Sequence, residues 1–463
     1  MSANVLRVDD PATGEVAAEV ELLDAGGAAA LLAAAHEAAR GWAGAGVDAR
    51  VALCGRFCDA ALARKEDTAR AISRQMGKPV AEARREVDTM IARARAMMAL
   101  APAALADELL GAKEGLRRFV GRVPLGVVVD IAAWNYPLLI AVNVVVPAVL
   151  AGNAVLLKHA RRTPLCADFF ATAFAAAGAP PALVQALHAG HEVTAGVLAD
   201  ERVGGVFFTG SVRGGREVYA EVARTRFVDV GLELGGKDPA YVAADCDFDF
   251  TVENVVDGAY YNAGQSCCAV ERVYVHQTLY ERFLAAAEPL VRAYRLGPPQ
   301  DAATTMGPLA QPEAPDFLAG QVAEAVARGG RLLCGGRPAQ VAGSGRYFEP
   351  ALVADAPPDA RLMTEESFGP VLGVAPVAGD DEAVQRMNAS RYGLTASIWT
   401  RDAARGEALA RRTDAGTVYV NRCDYLDPEL PWVGVKDSGK GCTLSRLGFE
   451  HLTRPKSYHF RAR

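Results

Sequence analysis

The chain has no pattern of paired cysteines. Its nine cysteines are an odd number, are scattered along 463 residues and include no Cys-x-x-Cys pair. A disulfide framework of the kind found in small secreted domains needs paired cysteines at close spacing. The composition therefore argues against a disulfide-stabilised secreted protein and predicts a reducing, cytoplasmic environment.

Long hydrophobic runs, a leader segment and blocks of basic charge are also missing. The most apolar segment, residues 138–150, is too short for a membrane span and contains Asn143 and Pro147. The N-terminus, MSANVLRVDDPATGE, lacks the charged-then-apolar layout of a signal peptide. The net charge is −6 without a basic block, so neither a membrane nor nucleic acid is a predicted partner.

The residues that are present suit a large α/β protein. Of the 463 residues 51% are hydrophobic and 22% are charged, which is enough for more than one core. Residues 26–112 are alanine-rich with apolar residues at three- and four-residue spacing, which predicts helices. From residue 125 onward, strand-like and helical segments alternate. The predicted strands are 125–133, 153–159, 183–187, 204–210 and 226–232, and the predicted helices are 138–152, 165–177, 191–199 and 214–224.

This alternation predicts right-handed crossovers and a mainly parallel sheet. A second alternating region runs from about residue 239 to residue 425. The tail PKSYHFRAR, residues 455–463, has the alternation of an edge strand. It could pair with another subunit or with a strand of its own domain, and the pattern alone leaves both open.

A cysteine, Cys267, follows the Gly-Gln-Ser turn of YNAGQSCC, after a predicted helix near 249–262. A reactive cysteine needs a polar or electropositive setting that stabilises the thiolate. A buried cysteine is more often a small hydrophobic residue, which is the interpretation that suits Cys268. Local sequence alone leaves Cys267 open between a nucleophile and a structural thiol.

Glu233 and Asn135 are candidates for proton transfer and oxyanion stabilisation. Glu233 ends a predicted strand and is followed by two glycines that permit close approach. It is either a general base or a salt-bridge partner. Asn135 precedes Tyr136 and Pro137, and it either donates to an oxyanion or caps the following helix.

Lys158 and the Thr209-Gly210-Ser211 turn occupy the carboxyl ends of predicted strands, where sites in parallel sheets form. The turn opens a helix and is a plausible phosphate-binding turn of a dinucleotide site. It is not GxGxxG, so the general signal is weak. Seven scattered histidines and the lack of GxSxG give little support to a hydrolase.

Taken together, these segments resemble the aldehyde dehydrogenase superfamily nearly from end to end. The matching motifs, in the family's order and approximate spacing, are AAWNYP, LLKHA, FFTGS, ELGGKDP, NAGQSCC, EESFGPV, GTVYVN and PWVGVKDSG. Each motif alone is weak, but the set is specific.

The resemblance implies an aldehyde dehydrogenase-like α/β fold with three parts. They are a Rossmann-type dinucleotide-binding domain (1–105 and 125–235), an α/β catalytic domain (236–435) and a β oligomerisation arm (106–124 and 445–463). It also implies a homodimer or homotetramer. The fold expectation thus goes beyond the parallel sheet that the alternation predicts.

The resemblance also implies a role for each matching residue. Cys267 would be the nucleophile, Glu233 the base and Asn135 an oxyanion donor, and no metal is implied. NAD or NADP would contact Trp134, Lys158, Arg161, Thr209, Gly210, Ser211, Leu234, Glu366 and Phe368. The substrate pocket would include Tyr136, Leu139, Asn143, Ser266, Cys268 and Trp432.

The implied reaction is oxidation of a small-molecule aldehyde to a carboxylic acid. The Cys267 thiolate would attack the aldehyde, hydride loss would leave a thioester, and Glu233 would activate the water that hydrolyses it. The nearest alternative is a CoA-acylating semialdehyde dehydrogenase. Enzymes of that kind generally lack the glutamate found here at Glu233.

The chain departs from the family pattern at three places. Arg161 stands where the family often has a glutamate for the adenosine ribose, so both NAD and NADP are predicted. HAGHE, residues 188–192, replaces the usual glycine-rich loop. PWVG replaces PFGG and puts Trp432 near the expected substrate tunnel.

The substrate is the least defined part of the prediction. The KHA triplet resembles a succinate-semialdehyde dehydrogenase subgroup, but Asn143 stands where another such group has a carboxylate-binding arginine. Asp424, Asp427 and Glu429 would repel an acidic substrate from the pocket mouth. Aromatic walls could instead receive a cation. We therefore expect a neutral aromatic or aliphatic aldehyde first and an aminoaldehyde second, with succinic semialdehyde as the alternative.

Overall fold

A computed structural model describes residues 4–461 of the chain. The first three residues and the last two, where the predicted N-terminal domain begins and the predicted arm ends, lie outside the described residues. Within residues 4–461, a six-stranded and a seven-stranded sheet are the largest, and smaller sheets flank them. None of the helices in this range is long and apolar enough to cross a membrane.

Two strands and four helices open the described chain. They are β1 (Val5–Asp9), β2 (Val16–Glu21), α1 (Ala25–Trp42), α2 (Val47–Ala63), α3 (Lys65–Met76) and α4 (Val80–Ala104). The helical prediction for residues 26–112 is confirmed as far as Ala104 and is wrong beyond it. There the chain enters a sheet through β3 (Glu108–Leu109) and β4 (Leu116–Pro124), because Leu109 pairs with Phe119 rather than continuing a helix.

The next segment confirms the predicted alternation of strands and helices. Its elements are β5 (Val127–Ala132), α5 (Pro137–Leu150), β6 (Ala154–His159), α6 (Leu165–Ala176), β7 (Val184–Ala186), α7 (His191–Ala199), β8 (Val203–Thr209), α8 (Val212–Thr225) and β9 (Asp229–Glu233). These five strands are parallel, in the order β9–β8–β5–β6–β7. The sixth strand of this sheet, β21 (Gly439–Lys440), pairs antiparallel with β9. The chain order reverses between β5 and β8, and parallel sheets bind ligands at the carboxyl ends of strands at such a point.

The second large sheet follows directly after β9. Its region contains β10 (Asp238–Val242), α9 (Phe248–Tyr260), a 3-10 turn (Tyr261–Gly264), β11 (Val270–His276), α10 (Tyr280–Arg292), α11 (Ala314–Ala327), β12 (Arg331–Cys334), β13 (Pro338–Val341), β14 (Ser344–Phe348), β15 (Ala351–Ala354), α12 (Arg361–Thr364), β16 (Val371–Val377), α13 (Asp380–Asn388), β17 (Tyr392–Gly393), β18 (Thr395–Trp399), α14 (Ala403–Ala410), β19 (Thr417–Val420), β20 (Val435–Lys436) and β21 (Gly439–Lys440). The sheet order is β12–β15–β16–β11–β10–β18–β19, and only β12 is antiparallel to its neighbour.

The described chain ends with α15 (Ser445–His451) and β22 (Thr453–Arg461). Strand β22 pairs antiparallel with β4 over its whole length, so as far as Arg461 the tail forms a sheet with its own chain. Helix α15 packs against α4 rather than joining this three-stranded sheet. The boundaries of the three predicted domains remain a prediction.

Each of the two large sheets packs in a hydrophobic core of its own. The first includes Phe57, whose ring stacks on Phe174 at 4.2 Å between centroids. The second includes the fully buried Tyr241 and Trp399. Four residues connect β9 of the first sheet to β10 of the second, so the end of β9 lies where the two cores meet.

Candidate active site

Two cavities of the structure meet at one cysteine. The central cavity, of about 200 Å³, lies between α4, α5 and the loops around residues 266 and 424. The strand-end cleft lies at the carboxyl ends of β5, β8 and β9. Four residues line both of them, namely Thr209, Glu233, Leu234 and Cys267. A reacting group at Cys267 is therefore accessible from two directions.

Every site residue predicted from the sequence lines one of three cavities. The central cavity contains the predicted substrate residues Tyr136, Leu139, Asn143, Ser266, Cys268 and Trp432. The strand-end cleft contains Trp134, Asn135, Thr209, Gly210, Ser211, Leu234, Glu366 and Phe368. Lys158 and Arg161 line a third cavity, the cationic pocket, together with His188 and His191.

A strained loop presents Cys267 to the cavities. The backbone of Asn262, Ala263 and Gly264 is left-handed, with φ of 53°, 57° and 67°. A Cβ on Gly264 would lie 2.3 Å from the carbonyl oxygen of Gly369, so only glycine fits there. The Gln265 side chain accepts a hydrogen bond of 2.9 Å from the backbone N–H of Ala310. Such conformations persist only where surrounding contacts maintain them, and they are frequent at functional sites.

The two neighbouring cysteines have different surroundings. Cys267 is partly exposed, whereas Cys268 is buried. The Cys268 thiol donates to Oδ1 of Asp424 at 3.0 Å, and the Ser266 hydroxyl donates to the same oxygen at 3.0 Å. Cys268 is thus more than a small hydrophobic residue, because it helps to fix the Asp424 carboxyl in the cavity wall.

The Asn135 side chain does not cap the following helix. Its Nδ2 donates to the backbone carbonyl of Gln265 at 3.2 Å. The residue before α5 is Tyr136, whose side chain makes no capping bond. A carboxamide has two N–H donors, so one donor remains beside Cys267. The backbone N–H of Cys267 donates to no carbonyl of the described chain.

Glu233 is the carboxylate that lines both cavities together with Cys267. Burial raises its pKa to about 7, and hydrogen bonding to Thr443 and the charge of Arg93 oppose that rise. A carboxyl group with a pKa near neutrality can take up and release a proton at physiological pH. The alternative of a salt-bridge partner is not observed, because within residues 4–461 Glu233 forms no ion pair and its side chain is bonded by the uncharged Thr443 hydroxyl.

Glu366 and Phe368 close the opposite wall of the strand-end cleft. Oε1 of Glu366 accepts from the backbone N–H of Gly236 at 3.0 Å. A Cβ on Gly235 would lie 2.2 Å from the same carboxylate, so this glycine permits the approach. Burial raises the pKa of Glu366 to about 8. The rings of Phe368 and Trp134 meet edge to face at 5.4 Å.

A polar face of α4 was not identified from the sequence. Glu82, Arg85, Glu86, Thr89 and Arg93 recur every three or four residues and all line the central cavity. Lys78, which precedes the helix, joins them and forms a buried ion pair with Glu86. The helical spacing was visible, but a polar face on an amphipathic helix normally indicates exposure to solvent.

The acidic loop is only partly at the cavity. Asp424 lines the central cavity, as expected. Asp427 and Glu429 are exposed and are not among its lining residues. Burial raises the pKa of Asp424. Of the three carboxylates predicted to repel acidic substrates, one therefore lines the cavity. That one is Asp424, and burial disfavours its charged form.

Comparison with known proteins agrees with this geometry. A model of the aldehyde dehydrogenase family matches residues 1–458. A protein of Mycobacterium ulcerans named succinate-semialdehyde dehydrogenase (NADP(+)) 1 is 37% identical over 400 residues, covering 85% of this chain and 86% of that protein. A protein of the same name from Mycobacterium tuberculosis is 35% identical over 450 residues, covering 97% and 98%. A solved NAD-dependent aldehyde dehydrogenase from Sinorhizobium meliloti has a TM-score of 0.95 at 32% identity, covering 99% of this chain and 92% of that chain.

A buried ion pair supports the wall formed by Glu366 and Phe368. Lys237 and Glu271 are 2.5 Å apart, with side chains 0% and 4% exposed. Glu271 also accepts the backbone N–H groups of Ser367 at 2.8 Å and Phe368 at 2.9 Å. The pair therefore fixes the backbone from which Glu366 and Phe368 project.

We expect Lys237→Met to lower the free energy of unfolding by about 3–5 kcal/mol, because it leaves the Glu271 carboxylate buried without a cation. Denaturant unfolding measures this change. Lys65→Met is the control, since Lys65 forms a 2.7 Å pair with Asp88 that is partly exposed, and its loss is worth less than about 1 kcal/mol. Equal effects of the two substitutions would contradict the expectation.

Proposed function

The chain belongs to the aldehyde dehydrogenase family and oxidises aldehydes with NAD or NADP, and from that premise we propose that its substrate is an aldehyde bearing a carboxylate, of the size of succinic semialdehyde. The observation that carries this proposal is a buried arginine, Arg93, in the wall of the central cavity. The names of the two mycobacterial relatives support the same substrate class.

Arg93 is a buried cation that forms no ion pair within residues 4–461. Only 5% of the residue is exposed. Its Nη1 donates to the carbonyl of Leu139 at 3.0 Å and to Oδ1 of Asn143 at 2.9 Å, and both acceptors are uncharged. Burial lowers its pKa to about 10, so the guanidinium is charged at neutral pH. The charges of Glu233 and Glu86 stabilise the guanidinium from a distance. A buried charge without a direct ion pair is costly, and a substrate carboxylate would supply that pair.

The charge of the cavity lining favours an anion when its raised carboxyls are protonated. Burial raises the pKa of both Glu82 and Glu233 to about 7, and it also raises the pKa of Asp424. The pair of Lys78 and Glu86 is neutral overall. Arg93 in the interior and Arg85 at the exposed rim then leave the lining positive whenever the raised carboxyls are protonated.

Asn143 has a different part in this proposal from the one expected. It stands where a carboxylate-binding arginine occurs in another group, and it is an amide here. Its side-chain oxygen accepts from Arg93, so the cation is supplied by α4 and oriented by α5. A positive charge is therefore present beside Asn143, on α4 rather than on α5.

Three residues would carry the chemistry. The Cys267 thiolate attacks the aldehyde carbon, and the Asn135 amide and the Cys267 backbone N–H stabilise the oxyanion, each such donor being worth about 3–4 kcal/mol. A bound nicotinamide would supply the acceptor for the hydride that the substrate carbon loses. Glu233 then takes a proton from the water that attacks the thioester. Because Glu233 lines the wall beside Cys267, hydrolysis is favoured over transfer to CoA.

An aminoaldehyde is the second candidate substrate. Glu82 lines the central cavity, and its Oε2 has no hydrogen-bond partner among residues 4–461. A carboxylate there could receive an ammonium group. Its pKa of about 7 means that much of it is neutral at physiological pH, whereas Arg93 keeps its charge. Neutral aldehydes, expected first from the sequence, remain a competing prediction.

We expect succinic semialdehyde to have a higher kcat/KM than butanal or 4-aminobutanal, three aldehydes with the same carbon chain. Arg93→Met should lower kcat/KM for succinic semialdehyde by about 10- to 100-fold, because it removes one hydrogen bond to a charged group. The same substitution should change kcat/KM for butanal little. Initial rates of nucleotide reduction measure both effects.

Two control variants accompany this panel. Arg95→Met removes an exposed arginine from the same helix and should leave kcat/KM for all three aldehydes unchanged. Cys267→Ala should abolish reduction of the nucleotide with every aldehyde. A wild-type preference for butanal or 4-aminobutanal would overturn the proposed substrate class, and activity of Cys267→Ala would overturn the proposed nucleophile.

We propose NADP as the preferred cofactor. Lys158 and Arg161 line the cationic pocket, at the end of β6 and beside the first residue of α7, and no ion pair involves either residue in the described chain. Burial lowers the pKa of Lys158, and the charge of Arg161 lowers it further. Two cations that repel each other without an intervening anion suit a 2′-phosphate. The turn 209–211 before α8 suits the pyrophosphate.

Arg161→Glu should lower kcat/KM for NADP by about 10- to 100-fold, because a charged hydrogen bond is replaced by repulsion of the 2′-phosphate. The value for NAD should stay the same or rise, since NAD has two free ribose hydroxyls there. Parallel initial rates with both nucleotides provide the measurement and the internal control. An equal fall in kcat/KM for both nucleotides would show that Arg161 does not recognise the 2′-phosphate.

We also propose that the protein is a homodimer or homotetramer in a reducing cytoplasm. All nine cysteines are free in the structure, which supports a reducing environment. The sheet of β3, β4 and β22 exposes Leu109, Leu110 and Phe460 at its surface. Exposed apolar side chains on an edge of a sheet suit contact with a second copy. Light scattering should give two or four times 48.8 kDa, and a monomer mass would contradict the proposal.

A further inference from the structure

Thr443 lies in the loop between β21 and α15 and is held there by backbone bonds. Its N–H donates to the Trp432 carbonyl at 3.0 Å, and the Trp432 N–H donates to the Thr443 carbonyl at 2.9 Å. Trp432 itself lines the central cavity. The Thr443 side chain is buried, and its hydroxyl donates to Oε1 of Glu233.

The backbone that follows Thr443 is in an unfavourable conformation. Leu444 and Ser445 have φ of 61° and 49°, the left-handed region that residues other than glycine rarely adopt. Leu444 is almost fully buried, and the Ser445 N–H donates to the carbonyl of Pro428 at 2.9 Å. Tertiary packing thus maintains a conformation that local preference opposes, as is common where a side chain must be aimed.

The two oxygens of Glu233 are in different environments. Oε1 accepts the Thr443 hydroxyl, whereas Oε2 makes no comparable hydrogen bond within residues 4–461. A weaker interaction with the Trp432 indole also lowers the pKa of Glu233. Glu233 lines both cavities that meet at Cys267. With Oε1 held by the Thr443 hydroxyl, Oε2 is the oxygen available to accept a proton beside the nucleophile.

We propose that Thr443 is the positioning residue of the general base, holding Oε1 of Glu233 so that Oε2 receives the proton of the hydrolytic water. This inference rests on the proposed role of Glu233. The water loses one proton to Oε2, and its oxygen forms a bond to the thioester carbon. The C–S bond breaks, Cys267 leaves as the thiolate, and the carboxylic acid is released. Glu233 then returns its proton to solvent.

The groups that act directly on Glu233 do not themselves titrate near neutrality. Glu82 and Glu366, with pKa values of about 7 and about 8, line the same two cavities, so a midpoint that moves in Thr443→Val is what identifies Glu233. Arg93 on α4 stays charged, because its pKa is about 10. Burial, and then the charge of Glu233, raise the pKa of Asp130 on β5 well above its ordinary value. Burial raises the pKa of Cys442, next to Thr443, to about 12. The Trp432 indole is uncharged.

The hydrogen bond from Thr443 to Glu233 determines the direction in which the pH dependence of hydrolysis should shift. A donor to a carboxylate favours its charged form and lowers its pKa, and the Thr443 hydroxyl opposes the rise that burial causes at Glu233. Hydrolysis requires the unprotonated base, so its rate should rise with pH through about 7 in the wild type. In Thr443→Val the midpoint should move up by about one pH unit.

The experiment follows nucleotide reduction by stopped flow with succinic semialdehyde and NADP, across about pH 6 to 9. Hydride transfer precedes hydrolysis, so slow hydrolysis produces a burst followed by a slower steady state. Thr443→Val should keep the rate of the burst and lower the steady-state rate by about 10- to 100-fold through misorientation of the base. Thr443→Ser should restore both the midpoint and the steady-state rate.

Two further variants separate this inference from the role of Glu233. Glu233→Gln should keep the burst and lose steady-state turnover at every pH; if it turns over as the wild type does, the proposed base is wrong. Thr453→Val removes a buried hydroxyl that bonds the Phe449 carbonyl at 2.8 Å and should leave the pH midpoint unchanged.

Three results would overturn the role of Thr443 while the base role stands. They are a wild-type profile in Thr443→Val, an equal defect in Thr443→Ser, and an equal shift of the midpoint in Thr453→Val. The second would mean that loop packing matters rather than the hydroxyl. Circular dichroism and nucleotide binding establish whether each variant is folded. If Thr443→Val does not fold, the same pH and stopped-flow measurements on Thr443→Ser and Thr443→Ala decide the role of the hydroxyl.

Discussion

The close backbone approach at Gly235 and Gly236 is the constraint on which the rest of the site depends. A Cβ on Gly235 would lie 2.2 Å from the Glu366 carboxylate, and a Cβ on Gly236 would lie 2.7 Å from the backbone carbonyl of Cys267. These two glycines belong to the four-residue connection between the two large sheets. A larger residue would push apart the wall of the cleft and the loop of the cysteine. The connection thus joins two cores and brings Glu233 and Cys267 to one point.

Burial has opposite consequences for the acids and the bases around that point. It raises the pKa of Glu233 to about 7 and that of Glu366 to about 8, so both carboxyls can exist in either form near neutrality. It lowers the pKa of Arg93 only to about 10, which leaves the arginine charged. The same low-polarity surroundings therefore create a general base that can exchange a proton and a cation that cannot. One physical cause provides both the chemistry and the charge that would select a substrate.

The parts predictable from the sequence are those that local turn chemistry marks. Cys267 follows a glycine-containing loop, Glu233 ends a strand before two glycines, and the turn 209–211 joins a strand to a helix; the structure brings all of them to one cleft. No local turn pattern identifies Arg93 or Thr443 as a site residue. One lies inside a regular helix, and the other bonds to a carboxylate 210 positions earlier in the chain. Contacts of that kind depend on how the two cores pack, which no local pattern records. The partner of the tail strand was open for the same reason.

Helix α4 shows why the substrate was the hardest part to predict. Val87, Met90 and Ala94 on this helix are buried, so an adjacent polar stripe looks like the solvated face of an amphipathic helix. Here Glu86 and Arg93 are buried as well, because α5 covers that side. A buried polar group needs a partner, and Arg93 has only uncharged ones in the described chain. The cation thus stands on a different element from the cysteine and the base. Substitutions on α4 could then change which aldehyde is bound while the loop of Cys267 and the end of β9 retain their geometry, which is how one fold supports many specificities.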